Sequence, residues 1–275
     1  MRRRLASLSL PSFGKAGATL RHMPRRLGQH FLRQASVERL LGVVDPRPGD
    51  VFLEIGPGGG ALTVPLGERA GRVVAVEIDA RLAERLRGTV GENVEIVHGD
   101  ALEIDLGALV PEGSRLVGNL PYYVSSPLLR RILGLHGSLR DAHVMLQEEV
   151  GRRVASPPGS KSYGILSVLF GLWAEVDLPL RFPPEAFRPP PKVSSALLRA
   201  RFLEEPRAEV SDLRGFEKFL QQAFARRRRT LENNLQDSYP KLKDYLRFLN
   251  LEGLRRPETL SVVEFAALWH VLKAG

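Results

Sequence analysis

Apolar and polar positions alternate along the middle of the chain in a pattern of short buried strands and amphipathic helices. The predicted strands are Val51–Ile55, Arg72–Glu77, Val94–His98, Arg115–Asn119 and Ala142–Leu146. The predicted helices between them are Ala61–Arg69, Ala80–Arg87 and Pro127–Leu135. Strands that alternate with helices imply right-handed crossovers and a parallel sheet covered on both faces. The pattern therefore predicts a doubly wound α/β domain.

The pattern becomes helical after residue 200. Prolines cluster at positions 179, 183, 184, 189, 190 and 191, where they stiffen the connection. Beyond it, helices are predicted over Leu213–Arg228, Lys241–Leu249 and Val262–Leu272. We therefore divide the chain into a basic, disordered N-terminal extension over residues 1–23, an α/β domain over residues 24–200 and a small all-helical domain over residues 201–275.

The chain of 275 residues carries 40 Lys and Arg against 31 Asp and Glu, a net charge of +9. The surplus lies at the two ends, because residues 1–37 carry +8, residues 38–200 carry −2 and residues 201–275 carry +3. Basic ends favour a polyanionic partner. Residues 1–23 are free of acids and rich in Arg and Ser, which suits a basic tail, an organelle-targeting segment or a true start at Met23.

The chain has no cysteine. Disulfides, Cys-ligated metals and thiol nucleophiles are therefore excluded, and with them methylation of cytosine C5, which needs a thiol. The histidines lack the spacing of metal ligands, so no metal site is predicted. The longest stretch free of charged side chains has 14 residues, against the roughly 20 that a membrane-spanning helix needs. The composition predicts a soluble protein without a membrane partner.

A glycine turn follows the first predicted strand. The segment Glu54-Ile-Gly56-Pro-Gly58-Gly-Gly60-Ala61 closes that strand and opens a helix, and Glu77 ends the next strand 21 residues after Gly56. Such a turn lets a ligand approach the backbone, and an acid at this spacing can bind both hydroxyls of a ribose. The sequence therefore predicts a cofactor that contains a nucleoside.

Two acids favour S-adenosylmethionine over a dinucleotide as that cofactor. Glu54 precedes the first glycine, where a carboxylate suits a cationic ammonium and sulfonium better than a pyrophosphate. Asp100, in Gly99-Asp100-Ala101 after the third strand, can accept a hydrogen bond from an adenine amino group while the following backbone N–H donates back. The alternative for Asp100 is a helix N-cap.

The segment Asn119-Leu120-Pro121-Tyr122 ends the fourth predicted strand. The nitrogen of an aryl amine is a poor nucleophile because its lone pair is conjugated with the ring. Acceptors aimed at its two hydrogens favour the sp³ state, and the Asn119 side chain and the Leu120 carbonyl can supply them. Pro121 donates nothing and fixes the turn, while Tyr122 can stack on an extruded base. The segment predicts in-line methyl transfer to an exocyclic amine.

Eight short stretches follow one another in a characteristic order: Leu27–Leu32, Glu54–Gly58, Val76–Asp79, Gly99–Ala101, Gly118–Tyr122, Met145–Val150, Phe187–Ser195 and Phe224–Leu235. Together they resemble the ribosomal RNA adenine N6,N6-dimethyltransferase family, specifically its small-subunit enzymes, over residues 24–273. The resemblance implies a Rossmann-like, S-adenosylmethionine-dependent methyltransferase domain followed by a helical domain. It further implies dimethylation of two adjacent adenines in a hairpin loop near the 3′ end of small-subunit (16S) rRNA, with a role in small-subunit maturation.

The resemblance also implies a role for each matched residue. The implied cofactor-binding residues are His30, Leu32, Gly56, Gly58, Glu77, Asp100, Ala101 and Asn119. The implied catalytic residues are Asn119, Leu120, Pro121, Tyr122 and Phe187. Of these, Tyr122 and Phe187 would bracket the target base, while His30 and Leu32 would cover the methionine end of the cofactor. The expected partner is the small ribosomal subunit precursor, and the protein is expected to be a cytoplasmic monomer.

Two positions depart from the family pattern. His30 and Tyr123 stand where the family usually has Asn. A neutral imidazole must then supply the contact at His30, which makes cofactor binding sensitive to acid pH. Tyr123 is expected to alter packing behind the site rather than the chemistry.

A run of basic residues, Arg226, Arg227, Arg228 and Arg229, falls in a predicted helix. Helical geometry would fan the four side chains around the axis. We expect them to contact RNA phosphates, because adjacent cations need counterions. The alternative is a solvated helix face.

Three other functions remain open. A large-subunit rRNA adenine methyltransferase of the antibiotic-resistance type shares the motifs, although Leu120 and the proline-rich segment 189–191 favour the small-subunit enzyme. A ribosome-assembly factor could act mainly by binding. An NAD-dependent oxidoreductase would leave the segment Asn119–Tyr122 unexplained.

Overall fold

The computed structural model of the chain describes residues 30–226 and 228–274. The predicted extension over residues 1–23 and Arg227 lie outside the described residues. The strands of the described part are Phe31–Leu32 (β1), Val51–Ile55 (β2), Arg72–Glu77 (β3), Val94–His98 (β4), Ser114–Asn119 (β5), Leu139–Gln147 (β6), Ala174–Phe182 (β7), Phe187–Arg188 (β8) and Ser195–Phe202 (β9).

The described α-helices are Gln34–Val44 (α1), Thr63–Gly67 (α2), Ala80–Arg87 (α3), Ser125–Leu133 (α4), Glu148–Val154 (α5), Ile165–Trp173 (α6), Leu213–Ala223 (α7), Leu231–Leu235 (α8), Leu242–Phe248 (α9) and Val262–Ala274 (α10). Within the described ranges, none of these helices has the length and apolar character needed to cross a membrane.

Seven strands form one sheet in the order β4-β3-β2-β5-β6-β9-β7. The five strands from β4 to β6 run parallel, which confirms the doubly wound arrangement. The sheet is not parallel throughout, because β9 pairs antiparallel with β6 and β7 pairs antiparallel with β9. Pro179 was expected in a connection and instead lies in β7, near a register shift between Asp177 and Leu180. An edge strand tolerates proline because its outer amides need no partner in the ladder.

Helices α2 and α7 are shorter than predicted. Helix α2 covers Thr63–Gly67 instead of Ala61–Arg69, and helix α7 ends at Ala223 instead of Arg228. The end of α7 has a visible cause, because the side-chain amide of Asn234 donates to the Ala223 carbonyl at 2.7 Å. A side chain that satisfies the last carbonyls takes the place of the next helical turn. Arg226, Arg228 and Arg229 therefore lie in a turn rather than on a helix.

Buried apolar side chains form two clusters on opposite faces of the sheet. Leu53 and Phe52 are neighbours in β2 and belong to different clusters, as the alternation of side chains along a strand requires. The cluster of Leu53 continues into the C-terminal helices, where it includes Phe219 of α7 and Phe265 of α10. The C-terminal helices therefore continue the apolar layer on that face of the sheet, where α7 and α10 contact α6.

An ion-pair network fixes the beginning of β5, at the opposite end of that strand from Asn119. Arg115 is 5% exposed, and it donates to the carboxylates of Asp141 and Asp50 at 2.9 Å each. It also donates to the Val44 carbonyl at the end of α1 at 2.6 Å. Burial opposes ionisation of Asp50, but the hydrogen bonds from Arg115 and the Arg47 N–H, together with the charges of Arg115 and Arg140, outweigh it and lower the pKa of Asp50. The network ties α1 to the sheet.

Candidate active site

A cavity lies at the carboxyl ends of the parallel strands β2, β3, β4 and β5, the edge at which doubly wound sheets bind their ligands. The residues predicted to bind the cofactor all line it: His30, Leu32, Gly56, Gly58, Glu77, Asp100, Ala101 and Asn119. The predicted catalytic residues Leu120, Pro121 and Tyr122 line it as well. The fold thus brings one set of residues together from distant parts of the chain.

The glycine turn after β2 leaves the backbone open to a ligand. Gly56 and Gly58 have φ angles of 72° and 57°, a conformation that favours glycine. A Cβ atom at Gly58 would lie 3.1 Å from the ring of Phe31 in β1. Any side chain at Gly58 would therefore be strained and would push against a residue that itself lines the cavity.

Glu77 ends β3 with its carboxylate held by two backbone amides. One oxygen accepts from the Gly58 N–H and the other from the Asp79 N–H, both at 2.9 Å. The side chain is buried and its orientation is fixed from both sides. Because each carboxylate oxygen has two lone pairs, both keep acceptor capacity for a ligand in the cavity.

Glu54 is a buried carboxyl on the cavity wall. Its Oε2 atom has no hydrogen-bond partner among the described residues. Burial, reinforced by the nearby carboxylate of Glu77, raises its pKa to about 8. A buried carboxylate is costly unless a cation or a proton neutralises it. Glu54 is therefore arranged to receive a cationic group.

Asp100 follows β4 in a turn. Its side chain accepts from the Leu102 N–H at 2.8 Å, and the chain does not continue into an α-helix there, so the alternative of a helix N-cap is not realised. Tyr123 was expected behind the site but lines the cavity, with half of its surface exposed. Burial, together with the carboxylates of Asp100 and Glu77, raises the pKa of Tyr123. Its hydroxyl thus lies on the same side of the cavity as these acids.

Asn119 ends β5 with its side chain fixed by the backbone of the N-terminal segment. Its Nδ2 atom donates to the main-chain carbonyl of His30 at 2.8 Å. Only the amide nitrogen can donate, so this bond settles the orientation of the amide group. The Oδ1 atom of Asn119 is left as an acceptor, which is the atom the methyl-transfer chemistry requires.

The turn after Asn119 presents a second acceptor. The Leu120 N–H donates to the Met145 carbonyl of the neighbouring strand β6 at 2.9 Å. The Leu120 carbonyl accepts none of the backbone hydrogen bonds found among the described residues. Pro121 follows with φ at −59°, as the ring imposes. The strand and the proline together fix the direction of the free carbonyl.

Tyr122 begins a short 3-10 turn and its ring is held at two places. The hydroxyl lies 2.6 Å from the hydroxyl of Ser195. The ring stacks on the imidazole of His30 with centroids 5.6 Å apart and planes 28° apart. His30 Nδ1 is in turn 2.8 Å from the Pro189 carbonyl. His30 therefore contacts both Tyr122 and the proline-rich segment.

The position of Phe187 differs from the one predicted. It does not line the cavity, and its side chain is fully buried in the cluster that includes Leu32. The cause is the pairing of β8 with β1, which sets Phe187 opposite Leu32 and Arg188 opposite Phe31. Alternation then turns Phe187 inward and Arg188 outward. In this structure Tyr122 and Phe187 do not bracket an open space for a base.

The described members of the basic run after α7 are exposed. Arg226, Arg228 and Arg229 all lie in the turn between α7 and α8. None of the three lines the cavity, and none forms an ion pair with a described carboxylate. They form an uncompensated basic surface outside the cavity.

Sequence reasoning did not single out two residues of the site. Phe31 covers the glycine turn, and Ser195 contacts the hydroxyl of Tyr122. Both fall inside stretches that match the family pattern, Leu27–Leu32 and Phe187–Ser195. The match marked their positions, but only the fold could reveal their contacts.

The cavity fits S-adenosylmethionine by observations of its own. The unpartnered carboxyl of Glu54 suits an ammonium group, and the glycine turn leaves space that any Cβ would fill. The carboxylate of Glu77 keeps acceptor capacity at the position that binds a ribose. Among the described residues, no group of three or more His, Asp or Glu side chains could hold a metal ion.

The fold and this cavity define an S-adenosylmethionine-dependent methyltransferase. A family model described as ribosomal RNA adenine dimethylase matches residues 21–268. The chain belongs to this family and is an rRNA adenine dimethyltransferase. It is 45% identical over 262 residues to ribosomal RNA small subunit methyltransferase A of Geobacter metallireducens, across 91% of this chain and 95% of the relative.

Two solved structures are similar over most of their length. A dimethyladenosine transferase from Plasmodium falciparum has a TM-score of 0.76 at 23% identity, over 89% of this chain and 98% of its own. The 23S rRNA methyltransferase ErmE has a TM-score of 0.67 at 27% identity, over 88% of this chain and 99% of its own. The first likeness supports the fold. The second shows that an enzyme named for 23S rRNA has a similar fold.

Proposed function

We propose that this enzyme dimethylates the N6 amines of two adjacent adenines in a hairpin loop near the 3′ end of small-subunit (16S) rRNA and thereby contributes to small-subunit maturation. The observation that carries the proposal is the fixed amide of Asn119, whose nitrogen donates to the His30 carbonyl at 2.8 Å and whose oxygen remains an acceptor. The name of the 45% identical relative supports the small subunit as the substrate.

Residues of the cavity wall would hold the cofactor. Glu54 would pair with its ammonium group, Glu77 would accept from the ribose hydroxyls, and Asp100 with the Ala101 N–H would bind the adenine edge. The turn at Gly56 would allow close approach of the backbone. His30 and Leu32 would cover the methionine end, and Gly58 would keep Phe31 close above the turn.

When bound, S-adenosylmethionine supplies an electrophilic methyl group on a positively charged sulfur. Asn119 Oδ1 and the Leu120 carbonyl would accept hydrogen bonds from the two hydrogens of the target amine. These bonds withdraw the nitrogen lone pair from conjugation and point it along the line of transfer. Preorganised acceptors of this kind cost no reorganisation during the reaction. The proton that the methylated nitrogen loses would pass to solvent.

Tyr122 would stack on the target adenine after the base leaves its loop. Stacking on an aromatic side chain is worth about 1–3 kcal/mol per base. Because Phe187 is fully buried, we restrict the stacking role to Tyr122. The stretch Phe187–Ser195 then acts through the contact of Pro189 with His30 and the contact of Ser195 with Tyr122.

The RNA itself would be attracted by the basic run Arg226–Arg229. Within the described part of this run, Arg226, Arg228 and Arg229 have exposed guanidinium groups without carboxylate partners, which suit phosphates. The near-neutral α/β part of the chain suits a cationic cofactor. We divide the chain between a methyltransferase domain over residues 24–200 and an RNA-substrate domain over residues 201–275. We propose that the enzyme works as a monomer in the cytoplasm.

Labelled S-adenosylmethionine, incubated with the enzyme and unmodified small or large ribosomal subunits, tests the proposal. We expect label on small-subunit RNA alone. Label on large-subunit RNA would favour the second candidate, a large-subunit adenine methyltransferase, which the likeness to ErmE supports. For the assembly alternative, an inactive variant and a full deletion should be compared for subunit maturation, because equal defects would argue against a separate binding role.

A further inference from the structure

Ser195 is the hydrogen-bond partner of the Tyr122 hydroxyl among the described residues, with the two oxygens 2.6 Å apart. The residues lie 73 positions apart in sequence. The contact therefore exists only because the fold brings the turn after β5 against the start of β9.

The position of Ser195 is fixed by the sheet. It is the first residue of β9, with no exposed surface. Its register partners are Gln147 of β6 on one side and Phe182 of β7 on the other. A buried residue between two paired strands belongs to the part of a structure that opens last.

Tyr122, by contrast, depends on outside contacts for its orientation. It begins a 3-10 turn of three residues, and its ring is only half-buried. Two side-chain torsions would otherwise let such a ring change its plane. A hydrogen bond at the hydroxyl restrains the ring at the end farthest from the backbone. Burial raises the pKa of Tyr122, which keeps the hydroxyl protonated and able to donate.

We propose that Ser195 is a positioning residue that sets the plane of the Tyr122 ring for stacking on the target adenine. This role rests on the proposed function of Tyr122. Ser195 acts through Tyr122 and touches neither the cofactor nor the base. Its removal should lower the rate of transfer and leave the affinity for cofactor and RNA unchanged.

The test uses the full chain with Ser195→Ala, Tyr122→Phe and the double variant. Ser194→Ala is the matched control, because it removes the neighbouring hydroxyl and keeps the contact with Tyr122. We expect kcat to fall on the order of tenfold in either single variant, with KM for S-adenosylmethionine and Kd for RNA unchanged. The double variant should be no slower than either single variant, and Ser194→Ala should equal the unaltered protein.

A spectroscopic readout separates positioning from general stability. In an RNA hairpin with 2-aminopurine at the target position, stacking on Tyr122 quenches the fluorescence, and Ser195→Ala should weaken that quenching. Normal quenching and transfer by Ser195→Ala, or additive losses in the double variant, would overturn the role of Ser195. If Ser195→Ala does not fold, full activity of Tyr122→Phe would overturn it equally. Absence of transfer by the unaltered protein would instead overturn the proposed function.

Discussion

The amide nitrogen of Asn119 donates to the main-chain carbonyl of His30 at 2.8 Å. The backbone at His30, which lines the cavity, therefore also orients the side chain that would receive the target amine. Asn119→Ala should abolish methyl transfer and leave RNA binding near normal. Asn119→Asp should also lower transfer on the order of a hundredfold, because a carboxylate cannot donate to the His30 carbonyl. Single-turnover transfer and RNA binding, measured in parallel, check both variants. A parallel fall in RNA affinity would contradict the division of roles.

Glu54 should make the folded protein less stable as pH rises. Its pKa is raised from the ordinary 4.5 to about 8 by burial. Between these values the folded chain holds a proton that the unfolded chain releases, so stability falls with pH by up to about 1.4 kcal/mol per pH unit. The contribution of the Glu54 proton to stability is complete below the pKa of the unfolded chain, 4.5, and is lost as pH rises through the pKa of the folded chain, about 8. Glu54→Gln should remove this slope in denaturant unfolding measured from pH 5 to 8.

The matched control for that slope is Glu149→Gln, since the Glu149 side chain is 84% exposed. It should leave the pH dependence of unfolding unchanged. An equal slope in Glu54→Gln and the unaltered protein would contradict the raised pKa of Glu54.

Cofactor binding should release a proton from Glu54. The buried carboxyl is mostly protonated at pH 7, because its pKa is about 8, and it must ionise to pair with a cationic ammonium group. Calorimetry of S-adenosylmethionine binding in buffers of different ionisation enthalpy should show release of close to one proton at pH 7 and less above pH 8. Glu54→Gln should bind more weakly without that release. If Glu54→Gln released as many protons on cofactor binding as the unaltered protein, the released proton would come from another group.

The basic turn after α7 should control the salt dependence of RNA binding. Arg228→Ala or Arg229→Ala should each reduce the slope of log Kd against log salt by roughly one phosphate contact. Transfer at saturating RNA should stay near normal. Arg47→Ala is the control, because Arg47 is 70% exposed and paired with Asp45. Equal slopes in all three variants would place the RNA contacts elsewhere.

Arg115 should be essential for stability but not for the cofactor site. Arg115→Leu would remove the buried guanidinium partner of Asp50 and Asp141 and leave these carboxylates with the exposed Arg140. Breaking a buried ion pair from one side costs about 3–5 kcal/mol. Urea unfolding should show that loss, with S-adenosylmethionine affinity retained under conditions where the variant stays folded. A loss of affinity there would mean that the network also shapes the cavity.

The central sheet and the cofactor residues could be predicted because their signals are local. Strands β2, β3 and β4 lie where their apolar runs predicted them. The turn at Gly56 and the acid at Glu77 have a fixed spacing, and parallel strands bring their carboxyl ends to one edge. These residues therefore meet in the cavity.

What the sequence did not predict depends on distant partners. Phe187 is buried because β8 pairs with β1, and no local pattern specifies that pairing. Helix α7 ends early because the side-chain amide of Asn234, in a later helix, donates to the Ala223 carbonyl. The contact of Tyr122 with Ser195 likewise joins two separate matched stretches.

Mapping of methyl groups on unmodified small ribosomal subunits tests the central claim most directly. After incubation with the unaltered protein and S-adenosylmethionine, nuclease fragments analysed by mass spectrometry should contain N6,N6-dimethyladenosine at two adjacent positions of one hairpin loop near the 3′ end of the small-subunit RNA. Asn119→Ala should leave both adenines unmodified. Methylation of any other nucleotide, or of large-subunit RNA instead, would contradict the account.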